Sequence, residues 1–182
     1  MTAALHNRLP GDIKYLKLAK DEWDWFRGSG MINSAGLVND GLSSQCRNNG
    51  KTTWTYNQGV ILGGLAELSR ATGNTLLLAQ ADVIAGAAIA HLTVNGVLTE
   101  PCGRNCGGDA LAFKGSFVRN LYELARTERT SAYDGFLRDQ AASLWRRACN
   151  TDGQCSCNWA GPFNGFNYAT QHAALDAISA AP

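Results

Sequence analysis

The chain has 182 residues, with 16 lysines and arginines against 15 aspartates and glutamates, so its formal net charge is +1 at neutral pH. A near-neutral chain without a cluster of basic residues lacks the electrostatic signature of a nucleic-acid-binding protein, and no nucleic-acid partner is expected. Apolar residues make up 45% of the chain, which can support a packed core, but their runs are too short to predict a membrane span.

A repeated amphipathic segment begins the chain. Gly11-Asp12 followed by Tyr15 matches Gly73-Asn74 followed by Leu77, and a weaker third copy lies around Phe136. In the third copy Gln140 stands where the repeat has alanine. Apolar side chains recur at helical spacing in each copy, with charged residues between them. The pattern predicts three helices that each bury one face and expose the other.

A second kind of helix follows each amphipathic segment. These helices are apolar or small nearly all round, which predicts burial on most sides. The first contains Gly59, Gly63 and Gly64, and each glycine inside a helix costs about 1 kcal/mol, so we expect neighbouring backbones to approach closely there. The predicted helices cover residues 55–70, 112–126 and 169–180.

Half-exposed outer helices that alternate with buried inner helices are typical of a toroid of helical hairpins. The sequence therefore predicts an all-α fold, an α/α toroid of about three helical hairpins that forms roughly half of a six-hairpin barrel. We expect residues 1–182 to form a single region of one such domain. An open three-hairpin stack and an ordinary helical bundle remain alternatives.

The connections between these helices differ in length. Links from an outer to an inner helix are long, at 28–54, 93–111 and 150–168, whereas the inner-to-outer links are short. Long loops in compact domains are usually functional. The long loops should emerge at one end of the toroid, where the inner helices begin, and a ligand is expected there.

Six cysteines lie in or beside these long loops. Their even number favours disulfides in an oxidising compartment, with Cys102 and Cys106 as the preferred local pair. Free thiols and a zinc site are the alternatives, although no histidine stands at ligand spacing and no metal set is recognised. Residues 1–10 carry no secretion signal, so we expect that the natural N-terminus lies upstream.

The end of the first long loop suits a polyhydroxylated ligand. Trp54 and Tyr56 offer flat apolar faces to sugar rings, and the amides of Asn57 and Gln58 both donate and accept hydrogen bonds. The alternative is that both aromatic residues belong to the core and Asn57 caps the helix.

The other two long loops supply further candidates. Asp109 precedes an inner helix, where a carboxylate could simply cap the helix. Lys114 lies in the first turn of the same helix, where its positive charge is disfavoured by the helix dipole. An anionic partner or a ligand would offset this cost, but a solvated lysine is about as well supported. Gln171 follows an aromatic-rich third loop that could line a saccharide cleft or form a small core of its own. The aromatic residues of this loop are Trp159, Phe163, Phe166 and Tyr168.

Several stretches of the chain resemble glycoside hydrolase family 76, the endo-acting α-1,6-mannanases and their fungal cell-wall relatives. They follow the family in order along nearly the whole sequence, so the resemblance is specific. The matching stretches are 20–26 (KDEWDWF), Asn33 with 37–42 (LVNDGL), 53–65 (TWTYNQGVILGGL), 95–100 (NGVLTE), 113–115 (FKG), 117–121 (FVRNL), and Gln171 with 174–177 (ALDA).

The resemblance implies an (α/α)6 barrel that cleaves or transfers α-1,6-linked mannose chains outside the cell or in its wall, without a cofactor. The family's catalytic pair is two consecutive aspartates, and this chain contains no Asp-Asp dipeptide, so no residue here is assigned as catalytic. The family commonly has glutamine where Ala110 follows Asp109. The residues that match cleft positions are Tyr56, Asn57, Gln58, Asp109, Lys114 and Gln171.

Glycoside hydrolysis needs two carboxyl groups, and the sequence does not show which of the loop carboxylates converge. Three functions therefore stay open: an α-1,6-mannan hydrolase whose pair lies outside this chain, a transglycosylase of mannose-containing wall or anchor glycans, and a silent mannan-binding fragment. Uncovered inner-helix faces also predict self-association. The loop carboxylates are Asp40, Glu100, Asp109 and Asp152.

Overall fold

The computed structural model describes residues 2–8 and 13–182, and the repeat's Gly11-Asp12 lies outside them. Within these ranges the fold is mainly helical, with one two-stranded antiparallel sheet. The elements are α1 (Thr2–Arg8), α2 (Lys14–Gly28), α3 (Thr55–Thr72), α4 (Leu76–His91), β1 (Thr93–Val94), β2 (Val97–Leu98), a 3₁₀ turn (Gly108–Leu111), α5 (Phe113–Glu128), α6 (Asp134–Ser143) with a π-helical turn (Leu144–Ala148), and α7 (Tyr168–Ala180).

The helices form two layers. In the inner layer α1 packs against α3, α3 against α5, and α5 against α7. In the outer layer α2 contacts α1 and α3, α4 contacts α3 and α5, and α6 contacts α7. This alternation confirms the predicted all-α toroid of helical hairpins.

Helix α1 adds a fourth helix to the inner layer that the sequence did not predict. Its seven residues are too short to show helical periodicity, and packing on α3 holds it in place. The side chain of Asn7 donates hydrogen bonds to the carbonyl of Glu67, at 3.2 Å, and to its carboxylate, at 2.9 Å.

The inner helices approach each other through glycine. A Cβ atom added to Gly59 would lie 2.6 Å from Cα of Phe117, and one added to Gly115 would lie 2.6 Å from Cα of Ala173. A Cβ atom on Gly63 would meet the side chain of Asn120. The predicted close approach is therefore confirmed at Gly59 and Gly63. It is wrong for Gly64, which has open space beside it.

The core lies between the layers, and the inner helices are buried on most sides, as predicted, with a few apolar side chains exposed. The second turn of α3 exposes Val60, and α7 exposes Tyr168, Leu175 and Ile178. Among the described helices α7 has α5 and α6 as its main neighbours, and its remaining flank is uncovered. None of the helices in residues 2–8 and 13–182 combines the length and apolar content needed to cross a bilayer.

Two disulfides close turns in the long loops. Cys102 is bonded to Cys106, as expected, and Cys149 is bonded to Cys155. The prediction of disulfides therefore holds for four of the six cysteines, whereas Cys46 and Cys157 are free. Cys46 is exposed in the first loop, whereas Cys157 is buried in the third loop. The part of the chain that the structure describes holds no group of three histidine, cysteine, aspartate or glutamate side chains suited to a metal ion.

Candidate functional site

The three long loops meet at the end of the toroid where α3, α5 and α7 begin. The ring centroid of Phe113, at the start of α5, lies 5.5 Å from that of Trp54 and 4.2 Å from that of Tyr56. Leu111 of the second loop and Thr170 of α7 line one hollow. The predicted common mouth is therefore present, and we call this end of the molecule the loop face.

An aromatic cluster of Trp54, Tyr56 and Phe113 lies half-buried on the loop face. The hydroxyl of Tyr56 donates a hydrogen bond to the carboxylate of Asp40, at 3.2 Å. Burial raises the pKa of Tyr56, and the negative charges of Asp40 and Asp109 raise it further. Tyr56 thus stays protonated beside two exposed carboxylates, an arrangement that offers ring faces, a hydroxyl and acceptors to a sugar.

Glu100 connects the second loop to the start of α3. Its side chain is only 1% exposed and accepts hydrogen bonds from the backbone N–H of Thr55, at 3.2 Å, and from the Thr55 hydroxyl. Burial raises the pKa of Glu100, and both Thr55 hydrogen bonds and the charge of Lys114 oppose that rise. The carboxylate therefore holds the loop at a helix N-terminus, where negative charge is stabilised.

Lys114 joins α5 to the third loop. Its residue is 2% exposed, and its ammonium lies 3.5 Å from the sulfur of Cys157 and 5.4 Å from the ring centroid of Trp159. Its charge also interacts with that of Glu100, which supplies the anionic partner expected from the sequence. A sugar could reach this ammonium only if the packing around Cys157 opened.

Two of the predicted glutamines bind loop backbone. The carboxamide of Gln58 accepts from the N–H of Val38, at 2.7 Å, and donates to the carbonyl of the same residue, at 2.9 Å. Gln171 accepts from the N–H of Cys155 and donates to the carbonyl of Gly153, both at 3.1 Å. Each carboxamide thus hydrogen-bonds to the loop backbone as a neighbouring β-strand would, and it fixes the loop to its helix.

Gln140 of α6 makes the same arrangement with the second loop. It accepts from the N–H of Leu98 and donates to the carbonyl of Gly96, both at 2.8 Å. No role for Gln140 was predicted from the sequence. The available signal was the repeat itself, in which Gln140 replaces the alanine found at Ala19 and Ala81.

The remaining predicted residues differ in what their side chains do. Asn57 lies within α3, so it does not cap the helix, and its buried amide oxygen has no hydrogen-bond partner among the described residues. Asp109 is exposed in the 3₁₀ turn and makes no side-chain cap to α5. In the third loop Trp159 is buried, whereas Phe166 and Tyr168 are exposed, so the loop both builds a small core and presents rings to solvent.

The sequence model of the family described as glycosyl hydrolase family 76 matches residues 2–181 of this chain. The chain belongs to glycosyl hydrolase family 76. Among relatives, it is 30% identical over 196 residues to the mannan endo-1,6-alpha-mannosidase DFG5 of Saccharomyces cerevisiae, with 97% of this chain and 42% of the relative covered. It is also 30% identical over 193 residues to DCW1 of Eremothecium gossypii, with the same shares covered.

Solved structures of glycosyl hydrolase family 76 share the fold. The α-1,6-mannanase GH76A of Salegentibacter sp. HEL1_6, an inactive variant in complex with α-1,6-mannotriose, superimposes with a TM-score of 0.85 at 25% identity, covering 98% of this chain and 55% of the other. Dfg5 of Chaetomium thermophilum, in complex with glucosamine, gives a TM-score of 0.85 at 21% identity over 98% and 48%.

These alignments also fix how much of the family domain the chain represents. The chain spans about half the length of the family members that it matches. In the inactive Salegentibacter variant two consecutive aspartates are replaced by asparagine. The resemblance seen in the sequence is thus confirmed for family and fold, and the toroid of this chain corresponds to about half of each of these solved structures.

Proposed function

We propose that this chain is part of an α-1,6-mannan-active glycoside hydrolase and that its loop face binds α-1,6-linked mannose chains. The observation that carries the proposal is the half-buried aromatic cluster of Trp54, Tyr56 and Phe113, whose Tyr56 bonds Asp40 and is influenced by the charge of Asp109. Flat rings beside hydrogen-bonding groups suit a pyranose. The mannanase and mannosidase names of the relatives support this choice of substrate.

The seven predicted binding residues divide into two groups. Trp54, Tyr56 and Asp109 are the proposed sugar contacts. The amide oxygen of Asn57 has no partner among the described residues, but it is buried, so Asn57 is proposed as a neighbour of these contacts. The other three, Gln58, Lys114 and Gln171, act on the sugar by positioning loops. Their hydrogen-bonding groups already contact Val38, Cys157 and the turn at residues 153–155.

The chain by itself is proposed to bind without cleaving. Hydrolysis and transglycosylation both need two carboxyl groups, and this sequence lacks the consecutive aspartates of the family. Glu100 is buried and bonded to Thr55, so a substrate cannot reach it as an acid or nucleophile. In an enzyme with a complete carboxyl pair, water or a second sugar as the acceptor decides between hydrolysis and transglycosylation.

Binding is tested by titration calorimetry of the 182-residue chain with α-1,6-mannotriose. Trp54→Ala is expected to weaken binding by about tenfold, the loss typical of one stacked ring. Tyr56→Phe removes the hydroxyl and should cost less. Tyr122→Phe is the matched control, because the Tyr122 hydroxyl bonds Arg126 in the second half of α5. Absence of heat at millimolar mannotriose would refute the proposed binding function.

Cleavage is tested by measuring new reducing ends after incubation with α-1,6-mannan. No release is expected from this chain, and release that Asp40→Asn or Asp109→Asn abolished would contradict the proposal that the chain binds without cleaving.

An extracellular or cell-wall location is proposed from the two disulfides and the relatives. Self-association through the exposed face of α7 remains a prediction, which sedimentation velocity can check.

A further inference from the structure

A second hollow lies on the loop face beside the aromatic cluster. Its volume is about 430 Å³, within the size range of small-ligand sites. The second loop lines one side of it with Arg104, Asn105 and Leu111, and the third loop lines the other with Asn164 and Phe166. The hollow therefore lies between the second and third loops, whereas the aromatic cluster lies between the first and second.

The turn that carries Arg104 is fixed at both ends. The disulfide between Cys102 and Cys106 closes it, and the N–H of Asn105 donates to the carbonyl of Cys102, at 3.2 Å. The N–H of Gly103 donates to the carbonyl of Glu100, at 2.8 Å, and Glu100 is itself bonded to α3. The backbone that presents the guanidinium is thus held in place before a ligand arrives.

Among the described residues that line the hollow, Arg104 is the one with a charged side chain. No described residue forms an ion pair with Arg104, and the described lining includes no carboxylate. Cys157, which lines the hollow, lies 3.5 Å from the ammonium of Lys114. Asp109 is the carboxylate nearest in sequence to the lining residue Leu111. It does not line the hollow, and its charge acts on Tyr56 in the neighbouring cluster.

We propose that this hollow binds a sugar that carries a phosphate ester. A guanidinium matches the paired oxygens of a phosphate, the amides of Asn105 and Asn164 can bond sugar hydroxyls, and the exposed ring of Phe166 offers a face to the pyranose. The proposal rests on the proposed mannan-binding function, because it adds to the loop face a place for a phosphorylated unit of the same glycan.

The test compares three probes by titration calorimetry on the full chain: mannose 6-phosphate, mannose and inorganic phosphate. Mannose 6-phosphate should bind about tenfold more tightly than mannose, as one charge-assisted pair would give, and the difference should shrink as ionic strength rises. Arg104→Gln should abolish the preference for mannose 6-phosphate over mannose. Arg104→Lys keeps the charge but loses the bidentate guanidinium, so it should retain part of this preference.

Arg138→Gln is the matched control, because Arg138 is exposed on the outer helix α6 and should leave all three affinities unchanged. Equal binding of mannose and mannose 6-phosphate, or an unaltered difference in Arg104→Gln, would overturn the proposal. So would inorganic phosphate that binds as tightly as mannose 6-phosphate, since the hollow would then select an ion and not a sugar.

A parallel titration with neutral α-1,6-mannotriose separates this proposal from the proposed function. Loss of mannotriose binding in Trp54→Ala, with the mannose 6-phosphate preference intact, supports two separate places on the loop face. Failure of mannotriose to bind the unaltered chain would count against the mannan-binding function alone. Thermal unfolding of each variant checks that the exposed substitution at Arg104 leaves the fold intact.

Discussion

Replacing Gly59 by alanine tests the packing that holds the loop face together. Gly59 lies in the first turns of α3, and an added Cβ atom would lie 2.6 Å from Cα of Phe117, with the Phe117 nitrogen and the Ser116 carbonyl oxygen at 3.0 Å. All three atoms belong to the backbone of α5, so no side-chain rotation can relieve the contact. The two helices must move apart where Trp54 and Tyr56 meet α5.

The expected cost follows from the distances. Carbon atoms pack at about 3.5–4.0 Å, so the helices must separate by about 1 Å. Overpacking of this kind costs about 3 kcal/mol at the upper end of its range, and alanine returns about 1 kcal/mol of helix propensity. The net destabilisation is therefore about 2 kcal/mol, which lowers the melting temperature of a chain of this length by about 4–8 °C.

Gly64→Ala is the control in the same helix. The space beside Gly64 is open, so this variant should gain about 1 kcal/mol from helix propensity and melt about 2–4 °C higher. Thermal unfolding followed by circular dichroism at 222 nm measures both shifts, and urea titration converts them to free energies. If Gly59→Ala melts at or above the unaltered chain, the close approach of α3 and α5 is refuted.

Three further predictions concern other parts of the fold. Burial and the neighbouring Asp82 raise the pKa of Glu128 from 4.5 to about 7, so the folded state binds an extra proton between these values. The contribution of protonated Glu128 to the free energy of unfolding should be fully present below about pH 4.5 and be lost as pH rises through about 7. Glu128→Gln should reduce this dependence of the melting temperature on pH. In alkylation followed by mass mapping, Cys46 should react in the folded chain and Cys157 only after unfolding; equal rates would contradict the burial of Cys157. Gln140→Ala should speed amide hydrogen exchange at residues 96–98 without altering exchange in the first loop, and unchanged exchange would refute its role.

The sequence determined every described helix except α1, and also the long loops and the family. Periodicity is a local property, so the buried helix beginning at Thr55 and the one ending at Ala180 were predicted to within one or two residues. Cys102 and Cys106 were also the preferred local pair, because a separation of four residues keeps the two thiols near each other in any fold. Half a toroid followed from counting repeats, and the family motifs then named the fold.

Tertiary structure alone decided what the site residues do. Gln58 has the composition of a sugar ligand, yet its amide bonds Val38, 20 residues away, and Lys114 packs on Cys157, 43 residues away. Sequence shows which hydrogen-bonding groups a side chain has, but not which distant partner occupies them. The role of Gln140 and the hollow at Arg104 were not predictable for the same reason, because both arise where segments distant in the chain pack side by side.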